Sequence, residues 1–460
     1  MPTTYQTLDP SSNTIVAQFE AAADAEVQAA LESVQQGYLR WRETPLGERV
    51  SVLHRVAEIY RDRARELAEL ITLEMGKPIG QARGEIAVSA DIFDYYAANA
   101  EQFLAPRPLP VDSGSAEVHL QPTGVLLGIM PWNYPHYQVA RFVAPNLALG
   151  NTVLLKHAAN CPQSALIIQD ILRDAGLPPE CYINLFATHE QLSTVIADPR
   201  VQGISLTGSE KAGAIVAEQA GRHLKKVVLE LGGSDPFIVL DDVRLQETIE
   251  AAVSGRLSNA GQACTSPKRF IVVEDVYDRF VNGLKERFAG VEVGDPAQRE
   301  TGLGPVSSAA ARDELVEQIE DAVAHGAVLQ SGGEASGEGF FLTPALLTDI
   351  PRHSRLWHEE AFGPVASVYK VTDADEAVEL ANDSPYGLGA AVFGADDAQT
   401  RDVAQRLDVG MVFINSNTDS EPHLPFGGVK RSGYGRELGP LGIEEFANKK
   451  LIRVPERLAD

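Results

Sequence analysis

Cysteine is scarce in this chain: three in 460 residues, Cys161, Cys181 and Cys264. So few, so widely spaced, exclude a disulfide-built scaffold and give no metal-ligand spacing. A reducing compartment, the cytoplasm, is the expected setting. Basic residues are also short, 39 Lys and Arg against 64 Asp and Glu, for a formal charge of −25. That surface repels nucleic acid and, at long range, anionic small molecules. An anionic ligand would therefore need cations supplied locally by its site. No apolar stretch approaches the ~20 residues needed to span a bilayer. The opening "MPTTYQTLDPSSNTIVAQF" lacks a basic region followed by an apolar core, so no signal peptide is expected. Internal repeats and low-complexity tracts are missing as well.

What is present is the composition of a soluble globular protein, 44% hydrophobic and 22% charged, long enough for two or three domains. The first hundred residues are expected to be helical. Leu53, Val56, Ala57, Tyr60, Ala64, Leu67 and Ile71 recur at helical spacing, and "EMGKP" (74–78) is a stop signal. The Pro-rich "APRPLPVDSGSAEVHLQPTG" (105–124) suits an extended arm or edge hairpin. Short apolar runs then alternate with helix-like segments: "GVLLGIM" (124–130), "TVLLK" (152–156), "YINLF" (182–186), "GISLTG" (203–208), "KVVLEL" (226–231), "PFIVL" (236–240) and "RFIVVE" (269–274). Runs without alternation suggest strands buried on both faces, hence a parallel α/β sheet.

Several stretches have the residues for chemistry. Cys264 stands in "SNAGQACTSPKR" (258–269), among small polar residues rather than the aliphatics that surround a packing cysteine. A turn feeding a helix N-terminus there would favour its thiolate. Glu230 ends the run "VVLE" before Leu231, Gly232 and Gly233. Burial would raise its pKa toward the range of a general base. In "GIMPWNYPHYQVAR" (128–141) two prolines bracket Trp132, Asn133 and Tyr134, a rigid place for an amide that donates to an oxyanion. "SLTGSEKAG" (205–213) can present N–H groups to a phosphate, although it is neither a full G-x-G-x-x-G nor a P-loop. Each of these signals is weak alone.

In order along the chain, "PWNYP", "LTGS", "LELGG", "GQAC", "EEAFGPV" and "PFGGVKRSG" resemble the aldehyde dehydrogenase superfamily, and the resemblance covers essentially the whole length. It implies an α/β fold with a Rossmann-like cofactor domain (1–103 and 123–230), an α/β catalytic domain (231–437) and a β-arm oligomerisation element (104–122 with the tail 438–460). It implies Cys264 as nucleophile, the Asn133 amide and Cys264 N–H as oxyanion donors, and Glu230 as the base that releases the acid from a thioester. Trp132, Lys156, Gly208, Ser209, Leu231, Gly232, Glu360 and Phe362 would hold the cofactor. Ala159 replaces the Glu with which NAD-selective members bind the adenosine ribose, and His157 would help to hold a 2′-phosphate, so NADP is expected over NAD. No metal is expected.

Arg141 and Ser420, by resemblance, face the substrate tunnel, where members acting on simple aldehydes commonly have aromatics. A cation with a hydroxyl implies an aldehyde with a carboxylate tail: succinate semialdehyde, with glutarate semialdehyde or an aliphatic aldehyde as alternatives. The expected assembly is a homodimer or homotetramer, with no nucleic acid or membrane partner. Glu230 argues against a coenzyme-A-acylating member, which needs no water-activating base. The retained Cys264, Glu230 and Asn133 argue against a non-catalytic binding protein on the same fold.

Overall fold

The computed structural model describes residues 4–456. Two parallel-rich sheets organise the chain. In the first, six strands lie in the order Gly433–Tyr434, Lys226–Glu230, Val201–Thr207, Val125–Ile129, Thr152–Lys156, Tyr182–Asn184. All pairings are parallel except that of Gly433–Tyr434, which sets Gly433 opposite Glu230. The inner strands are buried at nearly every position, which is why they read as continuous apolar runs. The chain leaves Val125–Ile129 toward Thr152–Lys156 on one side and reaches Val201–Thr207 on the other. That reversal opens a crevice beyond the carboxyl ends of the strands, the usual binding place in such sheets.

The second sheet has seven strands in the order Val328–Ser331, Ala345–Thr348, Val365–Val371, Arg269–Val273, Pro236–Val239, Gly389–Phe393, Met411–Ile414. Only its first pair is antiparallel. The five innermost strands form a separate core, with Phe237 stacked on Phe393 at 4.4 Å. The chain passes from one sheet to the other between Glu230 and Pro236. The strand Gly433–Tyr434 departs from that division, because it returns to the first sheet. The Pro-rich segment pairs through Ser115–Pro122 with Ala447–Val454 and Arg107–Pro108, a three-stranded arm. Leu451, Ile452 and Val454 are exposed on it.

The helical expectation for the first hundred residues fails at the start. Tyr5–Asp9 and Thr14–Phe19 form a hairpin. Tyr5 is fully buried, stacks on Phe186 at 4.5 Å and donates its hydroxyl to the Ala187 carbonyl at 2.8 Å. The periodic stretch from Leu53 to Ile71 is two helices, Leu46–Asp62 and Ala64–Met75, broken at Arg63. The second ends as the stop signal predicts, with Gly76 left-handed at φ +76°.

Candidate active site

A cavity of about 760 Å³ lies between the sheets. Cys264, Tyr134, Tyr137, Phe413, Ser420 and Phe426 line it, with Gln81, Glu85, Asp419 and Glu421 among the others. None of its lining residues is Lys, Arg or His.

Cys264 sits in a turn before the strand Arg269–Val273, not at a helix N-terminus as the sequence suggests. The chain reaches it through Asn259, Ala260 and Gly261, at φ +52°, +52° and +72°. Two consecutive left-handed non-glycine residues cost about 1–3 kcal/mol each and persist only where surrounding bonds hold them. Here the Asn259 amide donates to the carbonyls of Asn133 (2.8 Å) and Gln262 (3.2 Å). In return Asn133 Nδ2 donates to the Gln262 carbonyl at 3.0 Å. One proton of that amide is thereby fixed, and the other remains for a ligand. Two of these three bonds stitch the "PWNYP" and "GQAC" loops together, and the third braces the cysteine loop on itself.

The Cys264 thiol is pushed up to about 11, by burial first, with Arg141 and Lys268 pulling the other way. At rest it is protonated, so reaction needs a base or a change in the surrounding charges. Cys161 and Cys181 are fully buried, and burial raises both thiols.

Glu230 is 2% exposed, and neither carboxylate oxygen has a protein hydrogen-bond partner among the described residues. Burial raises its pKa well above the usual carboxylate range, Arg141 opposes this, and Glu437 adds to it. Its side chain lies against Gly427, where a Cβ would stand 2.7 Å from Oε1. Gly427 follows the cavity residue Phe426, so a raised carboxyl lies beside the cavity wall, as a general base requires.

The other expected residues gather at the crevice of the first sheet. Lys156 ends its strand, 8% exposed, with burial lowering it to about 8 and no ion-pair partner among the described residues. Ser209 caps the helix Glu210–Arg222 by accepting from the Ala212 N–H at 3.3 Å. With Gly208 before it, that N-terminus suits a pyrophosphate. Trp132 and Phe362 meet edge to face at 5.9 Å. Glu360 Oε1 accepts from the Gly233 N–H at 3.1 Å, and a side chain at Gly232 would collide with its other oxygen. Leu231 is buried and packs on Gly213 of the capped helix. A free ammonium, a capped helix N-terminus and a carboxylate along one crevice fit a dinucleotide. Among the described residues no cluster of His, Cys, Asp or Glu could hold a metal, and no helix is long and apolar enough to cross a membrane.

Two expectations are corrected. His157 is fully buried, its Nε2 lies 3.0 Å from the Pro135 carbonyl and its Nδ1 accepts the Ala158 N–H at 2.8 Å. Burial lowers it to about 4, so a neutral, fully bonded ring stands where a phosphate ligand was expected. Arg141 is 1% exposed and does not line the cavity. It pairs with buried Glu437 and donates to Thr207 Oγ1 (3.2 Å) and the Tyr137 hydroxyl (3.3 Å). It lies behind the cavity wall, 4.5 Å from the Phe426 ring centroid. Ser420 does line the cavity, beside the Tyr137 hydroxyl.

The Arg141 geometry makes a prediction. Removing one partner of a buried ion pair costs about 3–5 kcal/mol. Arg141→Ala should lower the melting temperature markedly and depress oxidation of succinate semialdehyde and butanal together. Thermal unfolding with both kcat/KM values checks this, and undiminished stability would return Arg141 to a substrate role.

Lys268 was overlooked by sequence reasoning. It stands four residues after Cys264, and a charged residue so near an apparent nucleophile was the available signal. Its ammonium, 3% exposed, donates to the carbonyls of Ala263 (3.1 Å) and Cys264 (2.7 Å) and pairs with Glu360 at 2.9 Å.

Fold and site together define a two-sheet α/β enzyme with a cysteine on its cavity, a buried carboxyl behind the cavity wall and a crevice that fits a dinucleotide. The chain matches the aldehyde dehydrogenase family over residues 1–452, and it belongs to that family. It is 53% identical to the NADP-dependent succinate-semialdehyde dehydrogenase of Deinococcus radiodurans, covering 98% of this chain and 94% of the relative. It is 44% identical to the Mycobacterium ulcerans enzyme of that name, covering 97% and 99%. The crystal structure of succinic semialdehyde dehydrogenase from Streptococcus pyogenes with NADP+ superposes with a TM-score of 0.97, at 45% identity over 98% and 100% of the two chains.

Proposed function

We propose that the protein oxidises succinate semialdehyde to succinate with NADP. The observation that supports this most is similarity over almost the whole chain to dehydrogenases of that name, 53% identical in one case. The local chemistry agrees at Ala159, where no carboxylate side chain stands to repel a 2′-phosphate. When bound, NADP supplies the hydride acceptor. The chain's own residues do the rest. Cys264 adds to the aldehyde carbon, while the free Asn133 amide proton and the Cys264 N–H hold the developing oxyanion. Once the thioester has formed, Glu230 takes a proton from the attacking water.

The carboxylate tail of the substrate meets neutral donors rather than a cation. Tyr137 accepts from Arg141, which leaves its own proton for the cavity side, where Ser420 stands. Arg141 holds that phenol in place from behind the wall. A hydrogen bond to a charged group is worth ~1.5–3 kcal/mol, so succinate semialdehyde should exceed butanal in kcat/KM by roughly 10–150-fold. A panel of semialdehydes and simple aldehydes tests this, and equal rates for butanal would overturn the substrate assignment.

Ala159→Glu should shift preference toward NAD, through repulsion of the 2′-phosphate and a new ribose acceptor. The ratio of kcat/KM for the two cofactors measures it. A wild-type enzyme that already prefers NAD would contradict the cofactor reading.

The same reading takes the domain division 1–103 with 123–230, 231–437, and the arm and tail as given above. The exposed Leu451, Ile452 and Val454 support the arm as the contact between copies in a homodimer or homotetramer. Reduced, widely spaced cysteines support a cytoplasmic setting.

A further inference from the structure

We propose that Lys268 is a positioning residue that couples occupancy of the cofactor crevice at Glu360 to the reactivity of Cys264. The inference rests on the reading of Glu360 as a cofactor contact. Its starting point is the ammonium itself. Three N–H donors meet three acceptors: the Ala263 carbonyl (3.1 Å), the Cys264 carbonyl (2.7 Å) and Glu360 Oε1 (2.9 Å). At 3% exposure almost no water competes for it. One cation therefore joins the backbone of the nucleophile to a carboxylate in the crevice.

The sign of the coupling follows from Coulomb's law. While Glu360 pairs with Lys268, the carboxylate offsets part of the ammonium's field at the thiol. A cofactor hydroxyl that draws Glu360 away leaves the positive charge beside Cys264 uncompensated. An uncompensated cation favours the thiolate. Binding would thus switch the thiol on only when an electron acceptor is in place. The other charged groups around Cys264 are Arg141, held by Glu437, and Asp235, a buried carboxyl raised to about 7; Glu85, Asp419 and Glu421 line the same cavity, with Tyr134 and Tyr137 on its wall. Asp235 titrates well below the thiol, which burial holds near 11, so the two transitions are separable.

The test follows the rate of alkylation of Cys264 by iodoacetamide from pH 6 to 11, in which the thiolate displaces iodide and forms a thioether. Cys161 and Cys181 are buried, and a Cys264→Ala sample subtracts any reaction at them. The readout is the pH of half-maximal rate, which steric shielding by a bound cofactor does not move. In wild type, saturating NADP should lower that midpoint by at least about one unit, a tenfold rise in reactivity on the acid side. Lys268→Met should slow cofactor-free alkylation below the wild-type rate across the range and abolish the shift. Lys268→Arg, which keeps the charge, should retain it. Calorimetric NADP affinity is measured on the same samples. A full shift in Lys268→Met, or none in wild type with either NADP or NAD, overturns the coupling. Loss of the shift in both variants assigns it to packing and also overturns it. Binding and a shift with NAD but not NADP would overturn the cofactor assignment and support the coupling.

Discussion

Cys264→Ala should abolish aldehyde oxidation and leave NADP affinity within a few-fold of wild type. The reaction needs a group that can bond to the aldehyde carbon and later leave it, and an alanine methyl does neither. Cys264 is the one cysteine of the three that lines the cavity, and the other two are fully buried. Cys181→Ala, remote from both loops, should keep activity. The crevice residues Lys156, Ser209 and Glu360 do not depend on the thiol, so calorimetry should show cofactor binding intact. Substantial oxidation by Cys264→Ala would remove the covalent mechanism.

Glu230→Gln should separate the two halves of the reaction. Thioester formation continues, because the oxyanion donors are Asn133 and the Cys264 N–H. Hydrolysis then lacks its base and slows by ~10²–10⁴. The expected trace is a rapid burst of reduced cofactor, near one equivalent per site, followed by slow turnover. The amide is close in size to the carboxylate and needs no desolvation of a charge, so the fold should hold. A burst-free trace, with hydride transfer slowed as much as turnover, would move Glu230 to the first half-reaction.

The sheet strands were legible in the sequence because burial on both faces leaves a continuous apolar run, as in "TVLLK", whose bounds match the strand Thr152–Lys156. The hairpin at Tyr5–Phe19 was not, since its second strand is largely exposed and carries no such run. The motif residues fell where their loops place them: Cys264 on the cavity, Glu230 buried at a strand end, Ser209 at a helix N-cap. What the sequence concealed is where long polar side chains turn. Arg141 precedes its partner Glu437 by most of the chain, and only the returning strand Gly433–Tyr434 brings that carboxylate beside it. His157 reads as a free imidazole until the Pro135 carbonyl is seen against its ring. Lys268 sits in plain view after "GQAC", yet its three acceptors exist only once the turn and Glu360 have folded together.

The central claim is that succinate semialdehyde becomes a thioester on Cys264. Its most direct test is intact and peptide mass spectrometry of Glu230→Gln quenched in acid within the burst, after mixing with NADP and succinate semialdehyde. A succinyl group on the peptide that carries Cys264, absent when NADP is withheld, is the result expected. A burst of reduced cofactor with no acyl group on Cys264 would contradict it.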